Sequence, residues 1–111
     1  MQARFTYAIA FVADMDRAVT FHRDVLGLTL RFASPFWSEF DTGDVTLALH
    51  PANAENPAGG VQLGFAVDDV SKLYAERAKN GLDFTSAPHS EAGSLLARIR
   101  NAEGVDISLS S

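Results

Sequence analysis

The sequence predicts an α+β fold of two tandem βαβββ modules, and three observations support this prediction. A strand, a helix and three further strands follow one another in the first half, and the same order recurs in the second half. The two halves align at short landmarks, Val12-Ala13-Asp14 with Val67-Asp68-Asp69 and Gly27-Leu28 with Gly81-Leu82. Between them lies a stretch rich in Pro, Asn and Gly, which predicts a linker.

We therefore expect a single domain over residues 1–111. Module 1 would cover residues 1–50, the linker residues 51–60, and module 2 residues 61–111. A chain of 111 residues with 47% hydrophobic residues can bury one sizeable core, and it is too short for a second independent domain.

The first module begins with a strand from Arg4 to Ala13, which is rich in aromatic and β-branched residues. Asp14 is placed to cap a helix whose apolar residues recur at three- and four-residue spacing and which ends at Gly27. Three β-like runs follow, separated by turn residues; they cover residues 28–33, 36–42 and 45–49.

The second module repeats this arrangement. A strand over residues 61–67 precedes a helix that Asp69 caps and Gly81 closes. Three more strands are predicted, at residues 82–85, 95–99 and 105–109.

Composition excludes several classes of function. The absence of cysteine excludes disulfides, a thiol nucleophile and sulfur-ligated zinc. The net charge of −5, with nine scattered basic residues, argues against a nucleic-acid surface. No long apolar run or signal-peptide pattern occurs, so we expect a cytoplasmic protein without membrane contact.

Three segments carry a family resemblance. The most specific runs from Phe11 to Ala18 and from Phe21 to Gly27, and it is close to the pattern V-x-D-x-x-x-A-x-x-F-Y-x-x-x-L-G with His22 in place of Tyr. Residues 63–70 and 101–109 carry the other two. The chain thereby resembles the vicinal-oxygen-chelate superfamily, which includes glyoxalase I, extradiol dioxygenases, fosfomycin-resistance enzymes and bleomycin-binding proteins. In the last segment Asn101-Ala102-Glu103 replaces the usual Asp-Pro-Asp.

The resemblance implies a mixed sheet that is cupped and encloses a cavity. Because side chains alternate across a strand, Tyr7, Ile9 and Phe11 would then face the cavity, and Ala8, Ala10 and Val12 would pack against the helix. The same alternation turns eight further residues inward: Thr46, Ala48, His50, Gln62, Gly64, Ala66, Asp106 and Ser108. On the third strand the pattern leaves open whether Trp37, Glu39 and Asp41 or Phe36, Ser38 and Phe40 face inward.

The resemblance also implies where a metal would be held. Metal-dependent members place their ligands at positions that correspond to Tyr7, Ala48, Gln62 and Ser108 in this chain. Alanine offers no donor atom and serine is a weak neutral donor, whereas a transition ion typically needs three imidazole or carboxylate ligands. We therefore expect neither a metal nor another cofactor.

The leading hypothesis is a non-catalytic, metal-independent small-molecule-binding protein that sequesters an aromatic or cationic compound. Trp37 is the best candidate for stacking on that ligand. The other candidate ligand-binding residues are Tyr7, Phe11, Ala48, His50, Gln62, Arg98 and Ser108.

Two other hypotheses remain. The chain could be a lyase or dioxygenase with an unrecognised metal site, or an enzyme that uses Tyr7, Glu39 or His50; Glu39 could act as a general base if it faces inward. Alternatively, Ile9, Phe11 and Ala48 could fill the pocket. We expect a homodimer in all cases, because open edge strands need covering.

Overall fold

The structure is a computed structural model and describes residues 1–91 and 93–111. The chain forms two compact units. The first unit is Thr6–Gln62, and the second unit consists of Met1–Phe5 and Leu63–Ser111; each strand below is assigned to the unit that holds most of its residues. Each unit has its own helix, strands and hydrophobic core.

The first unit contains four strands and a helix. They are β1 (Arg4–Val12), α1 (Met15–Thr20), a π-helical turn (Phe21–Val25), β2 (Thr29–Phe32), β3 (Ser38–Asp41) and β4 (Thr46–Pro51). The strand order is β2-β3-β4-β1. Strands β1 and β4 are parallel, and the other two neighbouring pairs are antiparallel.

The second unit has the same plan. Its elements are β5 (Val61–Ala66), α2 (Val70–Ala75), β6 (Phe84–Glu91), β7 (Ser94–Arg100) and β8 (Asp106–Ser110), in the strand order β5-β8-β7-β6. Strands β5 and β8 are parallel, whereas β8 and β7, and β7 and β6, pair antiparallel. The predicted α+β class and the repeated element order are confirmed.

Aspartate caps begin both helices, as the sequence predicts. The backbone of Asp14 is extended, and its Oδ1 accepts a hydrogen bond from the backbone N–H of Arg17 at 3.1 Å. Asp69 does the same for Lys72 at 3.0 Å. Each cap satisfies one of the backbone N–H groups that a helix leaves unpaired at its start.

The first helix changes its winding where one regular helix was expected. The backbone N–H of Leu26 donates to the carbonyl of Phe21, a bond between residues five apart that defines a π-helical turn. Next to it, the His22 ring donates to the carbonyl of Ala18 at 2.7 Å. That carbonyl is the acceptor that the backbone N–H of His22 would use in an α-helix, so the ring competes for it.

Strand β6 is longer than predicted, because it pairs with β7 from Phe84 to Glu91. Pro88 lies within it, and the strand tolerates a residue without an N–H because it is at the edge of its sheet.

The helix in each unit packs on one face of the sheet. In the first unit Val19, Phe40 and Leu49 form the buried cluster, joined by Ala10 and Val12 as the alternation predicts. In the second unit the buried cluster consists of Val67, Val70, Ala97, Ile99 and Leu109. Within the described residues, neither helix has the length and apolar character needed to cross a membrane.

Candidate ligand-binding face of the first unit

The face of the first sheet opposite α1 has a closed apolar floor. Ile9 lies beside Ala48 and Phe11 beside His50 in the parallel pairing of β1 with β4. Ile9, Phe11 and Ala48 are 7%, 6% and 0% exposed, and Tyr7, Trp37 and Ala52 pack against this cluster. The odd-numbered β1 residues and Ala48 thus lie on the face opposite α1, as the alternation predicts. Whether this face lines a cavity stays a prediction.

The structure also decides the orientation of the third predicted strand. Glu39 is the cross-strand partner of Ala48, and directly paired residues project to the same side of a sheet. Ser38 and Phe40, both 0% exposed, project toward α1 instead. We call Tyr7, Ile9, Phe11, Trp37, Glu39, Ala48 and His50 the aromatic face.

Trp37 lies immediately before β3 and is held at both its backbone and its ring. The Ser34 hydroxyl accepts a hydrogen bond from the Trp37 N–H at 3.0 Å and donates one to the Trp37 carbonyl at 2.8 Å. The indole Nε1–H donates to Glu39 Oε2 at 2.7 Å. The ring is only partly buried, so these contacts fix its direction while leaving surface for a further contact.

Glu39 is part of a charged network on this face. Its second oxygen, Oε1, accepts from Arg31 Nη1 at 2.9 Å, and the same guanidinium nitrogen donates to Thr46 Oγ1 at 3.2 Å. Arg31 Nη2 lies 4.0 Å from Asp41 Oδ1. Since both carboxylate oxygens of Glu39 already accept hydrogen bonds, the group is better arranged to orient Trp37 than to remove a proton.

A hydrogen bond to the backbone of Pro51 determines the tautomer of the His50 ring. Its Nδ1 lies 2.8 Å from the carbonyl of Pro51, which can only accept a hydrogen bond. Nδ1 therefore carries the proton, and in the neutral ring Nε2 is an acceptor. The ring lies 5.6 Å from Phe11 and 6.1 Å from Trp37 between centroids, with interplanar angles of 62° and 83°. These are edge-to-face aromatic contacts.

The remaining predicted site residues lie on β5, β7 and β8. Gln62 and Ser108 are buried polar residues, each 7% exposed. In the second unit Arg98 is the cross-strand partner of Ser108, so the two side chains share a face. The participation of these three residues in ligand binding stays a prediction.

The residues at the metal-ligand positions do not fit a transition metal. Ala48 presents only a methyl group to the aromatic face. Throughout residues 1–91 and 93–111 there is no group of three His, Cys, Asp or Glu side chains that could hold an ion. Tyr7, Ala48, Gln62 and Ser108 supply no imidazole or carboxylate group, which are the ligands that a transition ion typically needs.

Sequence reasoning missed Arg31 and two grooves beside α1. Arg31 lies on the short strand β2, and nothing in the local sequence indicates that its guanidinium pairs with Glu39. One groove, of about 400 Å³, lies where β1, α1 and residues 58–61 meet, and the other, of about 420 Å³, lies between α1 and residues 33–35. Both depend on long-range packing, so no local sequence pattern predicts them.

Comparison with known proteins agrees with the fold and the motifs. The sequence profile of the glyoxalase/bleomycin resistance protein/dioxygenase superfamily matches residues 4–109. No curated protein matches the chain in sequence.

Several solved structures share the fold. A hypothetical protein of Bacillus halodurans C-125 has a TM-score of 0.81 at 15% identity, with 99% of this chain and 94% of that chain covered. A member of the same superfamily from Vibrio splendidus 12B01 has a TM-score of 0.72 at 17% identity, with 98% of both chains covered. A variant of methylmalonyl-CoA epimerase from Streptomyces coelicolor, in complex with 2-nitronate-propionyl-CoA, has a TM-score of 0.76 at 19% identity, with 96% of this chain and 92% of that chain covered.

At these identities the structural likeness establishes the fold alone, whereas the profile match extends over nearly the whole chain. The chain belongs to the glyoxalase/bleomycin resistance protein/dioxygenase superfamily.

Proposed function

We propose that this protein binds a small planar molecule on the aromatic face without the help of a metal, and that the ligand stacks on Trp37 beside His50. The orientation of Trp37 carries the proposal. Its ring is partly exposed, yet the hydrogen bond to Glu39 holds it in one direction above an apolar floor. A large aromatic surface that is already ordered binds a ligand at a low entropic cost.

The charges around Trp37 favour a cationic or hydrogen-bond-donating ligand. Glu39 and Asp41 supply two carboxylates and Arg31 supplies one guanidinium, so this cluster has a net negative charge. His50 Nε2 adds an acceptor, since Nδ1 is held by Pro51. An aromatic ring next to excess negative charge attracts organic cations through its face.

Fluorescence titration tests the proposal directly, because Trp37 is the chain's single tryptophan. The probes are planar aromatic cations, with neutral and anionic analogues of the same shape. We expect a change in Trp37 emission that is saturable, with the cations binding most tightly. Elemental analysis of the same sample after incubation with zinc, nickel, manganese and ferrous iron should give less than one metal per chain.

Two variants show whether binding occurs at the aromatic face. His50→Ala should weaken cation binding, whereas His89→Ala, which removes an exposed histidine of the second unit, should leave it unchanged. Failure of all three probe classes to bind would favour a pocket filled by Ile9, Phe11 and Ala48. A stoichiometric metal that binds tightly would overturn the metal-independent part of the proposal.

An enzyme is the second candidate, favoured by the position of His50. Its Nδ1 is held by the Pro51 carbonyl, so Nε2 is the nitrogen that would take up a proton. The superfamily includes enzymes such as methylmalonyl-CoA epimerase. If His50 is a base, the protein should accelerate exchange of an acidic C–H proton in deuterium oxide, and His50→Gln should abolish that acceleration while preserving ligand binding.

We also propose a cytoplasmic homodimer that associates through the β2 edge. Strand β2 has one neighbour, β3; Phe32 at the end of β2 is 46% exposed, and Phe36 in the segment that joins β2 to β3 is 77% exposed. An open edge with apolar side chains is prone to association. Light scattering should give a dimer mass for the wild type and a monomer mass for Phe36→Asp; a wild-type monomer would exclude the dimer.

A further inference from the structure

The turn after α2 contains a chemically reactive dipeptide that plays no part in the proposed function. The chain has four asparagines, Asn53, Asn56, Asn80 and Asn101, and Asn80 alone is followed by glycine. Both Asn80 and Gly81 are exposed. Glycine has no Cβ, so its backbone nitrogen is sterically free to approach the preceding side chain.

Asn80 is the last residue before a left-handed glycine. Gly81 has φ +67°, and the backbone N–H of Leu82 donates to the carbonyl of Arg77 at 2.9 Å. The N–H of Gly81 donates to the carbonyl of Ala78 at 3.3 Å, near the long limit for such a bond. These two bonds form a Schellman motif. The weaker one is the one that protects the Gly81 nitrogen.

The side-chain amide of Asn80 differs in its hydrogen bonding from the amides of Asn53 and Asn101. Among the described residues no hydrogen bond to its amide group is found, in contrast to Asn53 and Asn101. Asn53 Oδ1 accepts from two backbone N–H groups at 3.0 and 2.8 Å, and Asn101 Oδ1 accepts from two at 2.9 and 3.0 Å. Asn56 precedes Pro57, whose nitrogen has no hydrogen to lose.

We infer that Asn80 is the site at which the native protein spontaneously deamidates, becoming aspartate or isoaspartate. The Gly81 nitrogen loses its proton and forms a bond to Cγ of Asn80. The bond from Cγ to the side-chain nitrogen then breaks, and that nitrogen takes up a proton and leaves as ammonia. Water opens the resulting five-membered imide at either carbonyl, so the net change consumes one water and releases one ammonia.

The product alters the structure of the second unit. A carboxylate at position 80 lies next to the carbonyl groups at the end of a helical segment, where negative charge is unfavourable. Isoaspartate also lengthens the backbone, which disrupts the bond from Leu82 to Arg77. Leu82 packs against the core of the second unit, so we expect this core to be loosened.

Peptide mapping by mass spectrometry of the folded protein, after storage at neutral and at mildly alkaline pH, tests the inference. Isoaspartate and aspartate should accumulate at residue 80 at least about tenfold faster than at Asn53 or Asn101, a difference of about 1.4 kcal/mol in activation free energy. The rate should increase with pH, because the attacking nitrogen must be deprotonated. Asn80→Gln should stop the reaction.

Ala102→Gly is the matched control, because it creates a second Asn-Gly pair at the restrained Asn101. We expect position 101 in this variant to remain slower than position 80. Comparable rates at the two positions would show that local sequence alone controls the reaction and would overturn the structural argument. Absence of product at residue 80 in the folded protein, with product forming in urea, would overturn the inference itself.

Discussion

Replacing Glu39 by alanine removes the acceptor of two different hydrogen bonds. One comes from the indole of Trp37 at 2.7 Å and the other from the guanidinium of Arg31 at 2.9 Å. The indole is partly buried, and leaving its N–H without an acceptor costs about 1–3 kcal/mol. The side chains of Arg31 and Glu39 are 45% and 22% exposed, so their ion pair contributes only about 0–1 kcal/mol.

We therefore expect Glu39→Ala to lower the free energy of unfolding by about 2–3 kcal/mol and Arg31→Ala by at most about 1 kcal/mol. Urea denaturation followed by Trp37 fluorescence measures both. The emission of folded Glu39→Ala should also shift to longer wavelength, because the indole is no longer held in place. Arg31→Ala should leave the emission nearly unchanged.

The double variant separates the two contributions. If the indole bond dominates, Arg31→Ala should cost about the same in the Glu39→Ala background as in the wild type. If the ion pair dominates, Arg31→Ala should cost clearly less once Glu39 is absent. Equal costs for the two single variants would mean that the ion pair, not the indole bond, stabilises this face. That result would refute the argument that Glu39 chiefly orients Trp37.

Three other predictions concern the core, a helix cap and an ion pair. Phe40→Ala should cost about 3–5 kcal/mol in urea denaturation because Phe40 is 0% exposed, whereas Val25→Ala at a 69% exposed site should stay within about 0.5 kcal/mol; similar costs would contradict the core assignment. Asp69→Ala should cost about 1 kcal/mol and speed amide hydrogen exchange at the start of α2, and unchanged exchange would count against the cap. The hydrogen bond from Arg23 lowers the pKa of Asp24 in the folded protein. Any stability from this exposed pair is therefore present above the pKa of unfolded Asp24 and is lost as the pH falls through the pKa of folded Asp24. Arg23→Gln should raise the pKa of Asp24 in an NMR titration, and an unchanged value would contradict the pair.

Local sequence signals were sufficient for the elements of the fold. Asp14 and Asp69 cap their helices as predicted, because capping depends on a side chain and a backbone N–H three residues away. Alternation along β1 correctly separated Ile9 and Phe11 from Ala10 and Val12, because successive strand residues must point to opposite sides. The π-helical turn was not predicted, because the apolar spacing of this segment is typical of a regular α-helix; in the structure the turn lies beside the hydrogen bond from the His22 ring to the carbonyl of Ala18.

The candidate site could be predicted only in part. Trp37 and His50 were identified as site residues from sequence, but the direction of Glu39 was left open, because both alternating sets of the third strand contain an aromatic residue. In the structure, cross-strand pairing with Ala48 determines the side of the sheet to which Glu39 points. The role of Arg31 could not be foreseen, because its partner Glu39 is eight residues away on another strand.

Residue types and their short-range spacing were enough to predict the order of elements, the two helix starts and the superfamily, and they showed the poor set of metal donors. These features depend on residue types and on their spacing over a few positions, and neither depends on how the chain folds. The tertiary structure alone decided which side of β3 faces the apolar floor, which acceptor holds the Trp37 indole and which nitrogen of His50 is protonated. The first depends on strand register, which pairs Glu39 with Ala48 on another strand. The other two bonds join residues one or two positions apart, but they form only in the side-chain conformations that packing selects, and residue spacing does not specify those conformations.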